Sequence, residues 1–226
     1  MDQAHYVGLA DLFAYPDACF LDKVQQVRAS LESNYPKAAR EVASFYKQIS
    51  NRSLNSIEEL FIRTFCVQAI TTLDIGYVLF GDDYKRGALL SHLNREHGRM
   101  QNDCGTELAD HLPNILRLLP KLDSAELMQE LVEEILFPAI EKMAQEFDPE
   151  RQRKRNQMYK RYYKTILDTP LTNLNVYHSA LQAVLYVLEE DFQIRRNTRK
   201  SQPKSPFLNS IYDSALEREI SDEVER

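Results

Sequence analysis

The sequence predicts an all-α fold, a single helical-bundle domain of roughly ten helices over residues 1–194. Apolar residues recur at three- and four-residue spacing along almost the whole chain, which is typical of amphipathic helices. Only 6 of the 226 residues are glycine and 9 are proline, so turn signals are scarce. With 43% hydrophobic and 27% charged residues, the chain has the composition of a globular protein with a substantial core.

The helices of the first half begin at recognisable signals. Asp17 precedes one helix, Pro36 opens the next, and Asn55–Ser56 followed by two acids predict a capping box for a fourth. The stretch 67–81 is less regular and predicts a loop with a short helix. The apolar faces of these helices comprise Leu9, Leu12, Phe13, Phe20, Val24, Val27, Leu31, Val42, Phe45, Ile49, Ile57, Leu60, Phe61 and Phe65.

The second half predicts longer helices. One covers 84–100, a second runs from Leu108 to Leu119, and the longest starts at Ser124 and should be kinked by Pro138. The segment 180–188 is apolar on almost every side, which predicts a buried helix. Residues 195–205 are polar and basic, which predicts a linker, and we expect residues 206–226 to form a C-terminal tail with room for one short helix.

The charge pattern argues against general nucleic-acid or anionic-membrane binding. The formal net charge is -6, whereas phosphate binding normally needs a basic face. One basic block, 151–164, holds seven bases and no acid, with Tyr159, Tyr162 and Tyr163 available to stack on bases. A nucleic-acid-binding protein is therefore the alternative hypothesis. The preceding block, 123–150, holds nine acids and one base, so two solvated helix faces are the favoured interpretation.

No motif of cofactor binding or catalysis is present. Cys19, Cys66 and Cys104 form no CxxC pair, and we expect buried or idle thiols without a metal site. His92, Glu96 and His97 miss the HExxH spacing, and no glycine-rich phosphate loop occurs. The start of the chain lacks a basic signal region, and no apolar run reaches bilayer-spanning length, so we expect a cytoplasmic protein.

Two segments resemble the NarJ/TorD family, the delta-subunit-type chaperones of nitrate reductase and other DMSO-reductase-family enzymes. The first segment runs from Glu59 to Gly87 and includes Asp74-Ile75-Gly76-Tyr77-Val78-Leu79-Phe80-Gly81-Asp82-Asp83-Tyr84-Lys85-Arg86-Gly87. The second is Glu107-Leu108-Ala109-Asp110-His111-Leu112-Pro113. They cover roughly the middle third of the chain. The family commonly has proline where this chain has Ala109. Residues 82–87 are most similar to the branch that serves the nitrate, chlorate, selenate or hydrocarbon-oxidising enzymes.

The resemblance implies a TorD-like helical fold and a binding protein, not an enzyme. Such a chaperone holds the apo catalytic subunit, or its N-terminal leader, until the molybdenum cofactor is inserted, and itself retains no cofactor. Some of these leaders carry a twin-arginine signal. A cationic, amphipathic peptide needs acids and an apolar groove. The expected client-binding residues are Asp74, Tyr77, Phe80, Asp83, Tyr84, Arg86, Glu107, Asp110 and His111.

We expect Asp110 to pair with an arginine of the leader and His111 to orient it or cap a backbone group. An enzyme would instead use Asp110 and His111 as an acid–base pair, but neighbours on a helix diverge by about 100°. Pro138 and the break at 147–149 suggest a hinge and a homodimer formed by domain swapping, and an ordinary kinked helix in a monomer is the favoured alternative.

Overall fold

The fold is all-helical, as predicted. The structure is a computed structural model that describes residues 4–162 and 175–194, so the predicted tail lies outside the described residues. Its α-helices are α1 (His5–Asp11), α2 (Phe20–Leu31), α3 (Pro36–Ile49), α4 (Leu54–Phe65), α5 (Ile75–Phe80), α6 (Tyr84–Arg99), α7 (Leu112–Leu118), α8 (Ala125–Leu131), α9 (Phe137–Gln145), α10 (Pro149–Tyr162) and α11 (Val176–Phe192). Within the described ranges there is no strand, and an isolated β-bridge joins Asp74 and His111.

The described residues form two compact units, each assembled from separated segments. Unit 1 contains residues 4–13, 73–139 and 188–194, whereas unit 2 contains 14–72, 140–162 and 175–187. In unit 1, α1 packs on α7, and α5 packs on α6. In unit 2, α2 packs on α3. Every residue of the predicted client site belongs to unit 1.

Side-chain oxygens start several helices by accepting hydrogen bonds from backbone amides, as an N-cap does. Ser53 accepts from the Ser56 amide at the start of α4, so the cap lies two residues before the predicted Asn55–Ser56. Asp83 accepts from the Lys85 amide and starts α6. Pro36 occupies the first turn of α3, as predicted.

The long predicted helix after Ser124 is interrupted. A π-helical turn, Val132–Leu136, separates α8 from α9, and Pro138 is the second residue of α9. Because Pro138 has no amide hydrogen, it cannot complete an α-helical bond to the preceding turn, and a wider turn is one way to accommodate this loss.

The prediction of a buried 180–188 segment is confirmed. Tyr177 and the apolar residues of α11 are almost completely buried. In unit 2 the Tyr177 ring lies 4.9 Å from that of Phe65, 5.1 Å from Phe45 and 6.0 Å from Phe61, measured between centroids. These distances suit tilted or edge-on aromatic packing, so α11 provides the centre of the unit 2 core.

Candidate functional site

Residues 73–87 of the first segment lie beside the second segment in unit 1. The Ile75 amide donates to the Asp110 carbonyl at 3.0 Å, and the Leu112 amide donates to the Leu73 carbonyl at 2.8 Å. These bonds form the bridge between Asp74 and His111. They hold together residues that are far apart in the sequence, as we expected of a site built from both segments.

Arg86 joins the two segments electrostatically. This residue lies in the first turn of α6, and its Nε donates to Asp110 Oδ2 at 3.1 Å. Its Nη2 donates to Asp74 Oδ2 at 3.2 Å. The Asp110 side chain is fully buried, whereas that of Asp74 is 28% exposed. One guanidinium group therefore bridges an inner and an outer carboxylate.

The two carboxylates have different electrostatic surroundings. Burial raises the pKa of Asp110 above its ordinary value, although the hydrogen bond and charge of Arg86 oppose that shift. The hydrogen bond from His111 lowers the pKa of Asp74, partial burial opposes it, and the charges of His111 and Arg86 lower it further. Asp74 is thus the carboxylate that stays ionised most readily.

The outer edge of the cluster is made by side chains that reach solvent. His111 Nδ1 lies 3.2 Å from Asp74 Oδ1 and 3.9 Å from Oε2 of the exposed Glu107. On the other side, the Arg86 guanidinium carbon lies 5.3 Å from the centroid of the Tyr77 ring, within cation–π range. Tyr77 is 45% exposed, so its ring is both part of the cluster and accessible.

Gly76 allows the inner carboxylate to approach α5. A Cβ atom built on Gly76 would lie 2.6 Å from Asp110 Oδ2 and 3.1 Å from the Leu89 side chain. Real Cβ atoms are not found at the shorter distance. Glycine at this position is therefore required by the position of Asp110 and not by a left-handed backbone.

A buried polar network supports the second segment from behind. His97 Nε2 lies 3.0 Å from the Ala109 carbonyl, and Asn102 Nδ2 lies 2.9 Å from His97 Nδ1. Asn114 Nδ2 donates to the Leu108 carbonyl at 3.1 Å. This pattern requires a neutral His97 that donates from Nε2 and accepts at Nδ1. Burial lowers the pKa of His97, which favours that neutral form, while the Ala109 hydrogen bond opposes the shift.

His97 was not among the residues predicted for this site. The residue follows Leu89 and Leu93 at four-residue intervals, and all three are buried on one face of α6. A histidine in register with an apolar stripe was the available signal. Its partners, however, come from the segment between α6 and α7, and spacing along one helix does not indicate them.

The role expected for Asp110 is corrected by its surroundings. We expected it to pair with an arginine of a leader, but its carboxylate is enclosed and pairs with Arg86. The helix predicted from Leu108 also begins later, at Leu112, so Asp110 and His111 precede α7. Pro113 is tolerated in the first helical turn, and the preceding residues instead form the bridge to Asp74.

The remaining predicted site residues surround the cluster to different degrees. Asp83 has a local role as the N-cap of α6. Tyr84 is 43% exposed, and Phe80 is half-buried in α5 and so is not purely a core residue. Glu107 is exposed beside His111. The exposed part of the site thus contains Asp74, Tyr77, Tyr84 and Glu107.

Other candidate residues have ordinary structural contacts. Glu96 pairs with Arg99, and His92 contacts Arg95. Within residues 4–162 and 175–194, no group of three His, Cys, Asp or Glu side chains is placed to hold a metal ion. Cys104 is half-buried and Cys19 and Cys66 are exposed, so none of the three thiols, which we expected to be buried or idle, is fully buried.

The basic block is described only in part. Arg151 pairs with Glu146 at 2.6 Å, which joins the acidic and basic blocks at one point in unit 2. The side chains of Tyr159 and Tyr162, and all of Tyr163, lie outside the described part of the structure. Where helices are described, none has both the length and the apolar character needed to cross a membrane.

The chain matches no protein-family model and no curated protein.

Proposed function

We propose that this protein is a system-specific cytoplasmic chaperone for a DMSO-reductase-family molybdenum enzyme. It binds the apo catalytic subunit, or its N-terminal leader, and assists cofactor insertion without retaining a cofactor or catalysing a reaction. The client class comes from the resemblance of residues 59–87 and 107–119 to the NarJ/TorD family. Nitrate, chlorate and selenate reductases are the branch that we favour.

The single observation that best supports the proposal is the meeting of those two segments in one place. A resemblance confined to separated stretches has functional meaning if the stretches share a surface. Asp74 and His111, one from each stretch, are paired through the backbone and in contact through their side chains. A binding site composed of both is consistent with this arrangement.

The exposed chemistry of the site suits a cationic, amphipathic client segment. Tyr77, Tyr84 and Leu108 expose 43–49% of their surface, so each offers apolar or aromatic area to a partner. Glu107 and Asp83 provide acids in the same two segments. Aromatic rings with adjacent acids bind peptides that carry both apolar and basic residues.

The test is binding by the full chain to leader peptides and apo subunits of candidate molybdenum enzymes, measured by calorimetry. Tyr77→Ala should weaken binding by about 1–2 kcal/mol, as expected for an aromatic contact residue. Glu107→Gln should cost under about 1 kcal/mol, as expected for an exposed charge pair. Glu107→Gln should keep the melting temperature of the wild type, because Glu107 is exposed. Tyr77→Ala also removes the ring contact with Arg86, so we expect a small drop in melting temperature and a protein that is still folded in the binding assay.

Glu134→Gln is the matched control, because Glu134 is an exposed acid of unit 1 outside the two segments. It should bind like the wild type. Unchanged affinity in Tyr77→Ala and Glu107→Gln would show that the client does not use this surface. Absence of binding to every candidate leader and apo subunit would overturn the chaperone proposal itself.

Domain-swapped dimerisation stays a prediction within this proposal. Asp148 accepts hydrogen bonds from the amides of Glu150 and Arg151, so the predicted hinge at 147–149 is the N-cap of α10. Sedimentation over a wide concentration range tests the prediction, and a single monomeric species would contradict it.

A further inference from the structure

The two ends of the Arg86 guanidinium group have unequal environments. Its Nε contacts the fully buried Asp110 at 3.1 Å, while its Nη2 contacts the 28% exposed Asp74 at 3.2 Å. Breaking an ion pair that is shielded from water is costly, because it leaves an unpaired buried charge. An ion pair that reaches solvent can exchange one partner for another at little cost. Arg86 therefore has a fixed contact with Asp110 and a replaceable contact with Asp74.

The cluster also contains more acid than Arg86 alone balances. Arg86 links Asp110 to Asp74, and His111 links Asp74 to Glu107. Among these five side chains, Arg86 is the one that is always positively charged. Asp110 Oδ1 is buried and has no hydrogen-bond partner among the described residues. A buried carboxylate oxygen without a donor is costly, so Asp110 should retain Arg86 strongly, and the acids that can accept an additional cation are the outer ones, Asp74 and Glu107.

Tyr77 provides an accessible face for such a cation. Its ring already lies 5.3 Å from the Arg86 guanidinium carbon, and 45% of the residue remains exposed. Guanidinium groups stack on aromatic rings while donating in their own plane to a carboxylate. Asp74 and Tyr77 together thus provide the carboxylate and the aromatic ring that a guanidinium group can bind.

We propose that Arg86 is an internal competitor for an arginine of the client. On binding, the client guanidinium replaces Arg86 Nη2 on Asp74 and stacks on Tyr77, while Arg86 stays on Asp110. The inference rests on the proposed function for its partner, a basic peptide segment. The inference adds two properties. The site selects arginine over lysine, because a planar guanidinium group can stack on Tyr77 and donate to Asp74. Arg86 limits the affinity for the client, because it competes for Asp74.

The experiment uses the full chain and three synthetic amphipathic peptides of one sequence. The peptides differ at two adjacent positions, where the first has arginine, the second lysine and the third citrulline. Citrulline has nearly the shape of arginine but no charge. Calorimetry with the wild type should give the tightest binding for the arginine peptide and the weakest for the citrulline peptide. Equal affinity for arginine and citrulline would overturn the inference.

Arg86→Lys tests the competition directly. Lysine keeps a cation for Asp110 but lacks the fork that reaches Asp74 at the same time. This variant should bind the arginine peptide about two- to fivefold more tightly than the wild type, the gain expected from removing one exposed ion pair. Unchanged or weaker binding by a folded Arg86→Lys protein would overturn the inference, as would no binding by either protein.

A second pair of variants, Tyr77→Leu and Tyr77→Phe, tests the stacking on the Tyr77 ring and does not depend on whether Arg86→Lys folds. Phenylalanine retains an aromatic face and should retain the preference for arginine, whereas leucine should lower arginine-peptide binding about two- to fivefold, the size of an exposed cation–π contact. Equal loss in both variants would contradict the stacking.

The outcome for the chaperone proposal is separate. Client subunits that bind with no arginine preference would leave the proposed function standing and overturn only the exchange. Arginine-selective peptide binding without retention of any apo molybdenum enzyme would support the exchange and overturn the chaperone assignment.

Discussion

Gly76 and Asp110 are so close that the site has no room for a side chain on Gly76. A Cβ there would lie 2.6 Å from Asp110 Oδ2, the oxygen that also accepts from Arg86. Because Asp110 is fully buried, the carboxylate cannot move into solvent to make space. The packing of α5 and the ion pair of α6 therefore depend on one glycine.

Replacement of Gly76 should consequently destabilise the protein although alanine favours helices. Gly76→Ala should lower the melting temperature, since the gain of about 1 kcal/mol in helix propensity is exceeded by the displaced ion pair. Gly98→Ala is the matched control in α6, because no atom lies within 4 Å of its added Cβ. It should be neutral or stabilising by up to about 1 kcal/mol. Similar melting shifts in both variants would contradict this account.

Removal of Arg86 should be far more damaging than neutralisation of its inner partner. Arg86→Ala leaves the Asp110 charge buried, and we expect a loss of about 3–5 kcal/mol in the free energy of unfolding. Asp110→Asn keeps the shape and leaves Arg86 its contact with Asp74, so the loss should be about 1–3 kcal/mol. Denaturant unfolding measures both, and a double-mutant cycle should show strong coupling.

The pH dependence of Arg86→Ala provides an independent check. Burial raises the pKa of Asp110 in the folded state, so proton uptake favours that state and stability falls as pH rises through the folded pKa. Without Arg86 this penalty is no longer opposed. The gap in stability between Arg86→Ala and the wild type should therefore narrow on acidification, and a constant gap would contradict the burial of an unpaired charge.

His97 should make the protein sensitive to acid. Its folded pKa lies below the ordinary value of 6.5 because of burial. The stabilisation from neutral His97 is fully present above the unfolded pKa and is lost as pH falls through that value towards the folded pKa. Burial also lowers the pKa values of His92 and His178, so the acid sensitivity has several sources.

His97→Gln isolates the contribution of the buried network, since an amide can donate and accept without titrating. Thermal unfolding at neutral and mildly acidic pH should show a smaller acid-induced drop for this variant than for the wild type. His92→Gln is the control in the same helix and should leave the His97 contribution in place. An unchanged pH profile in His97→Gln would refute the role of the network.

Asp83 should contribute to stability through its cap. Its Oδ1 accepts from the Lys85 amide at 2.9 Å, and loss of such a cap costs about 1 kcal/mol. Asp83→Ala should lower the melting temperature, whereas Asp82→Ala, at the exposed neighbouring acid, should change it little. If peptide binding falls in Asp83→Ala with no change in melting, the residue belongs to the binding surface and not to the cap.

Elements controlled by nearby residues were predictable from the sequence. Pro36 indicated the first turn of α3 because its fixed φ suits that position, and the uninterrupted apolar character of 180–188 indicated a buried helix. The short helix within the irregular stretch was also anticipated. Local sterics and the period of an α-helix determine these features, so a single stretch of chain contains the necessary information.

The partners of the charged residues were decided by the tertiary structure alone. The sequence identified Asp74, Arg86, Asp110 and His111 as candidates, but their pairing depends on the bridge between residues 74 and 111. The same bridge keeps Asp110 outside α7 and encloses it against Gly76. Helical periodicity reports which residues face a core; it contains no information about which distant carboxylate meets which guanidinium, because that contact exists only once separated segments have packed together.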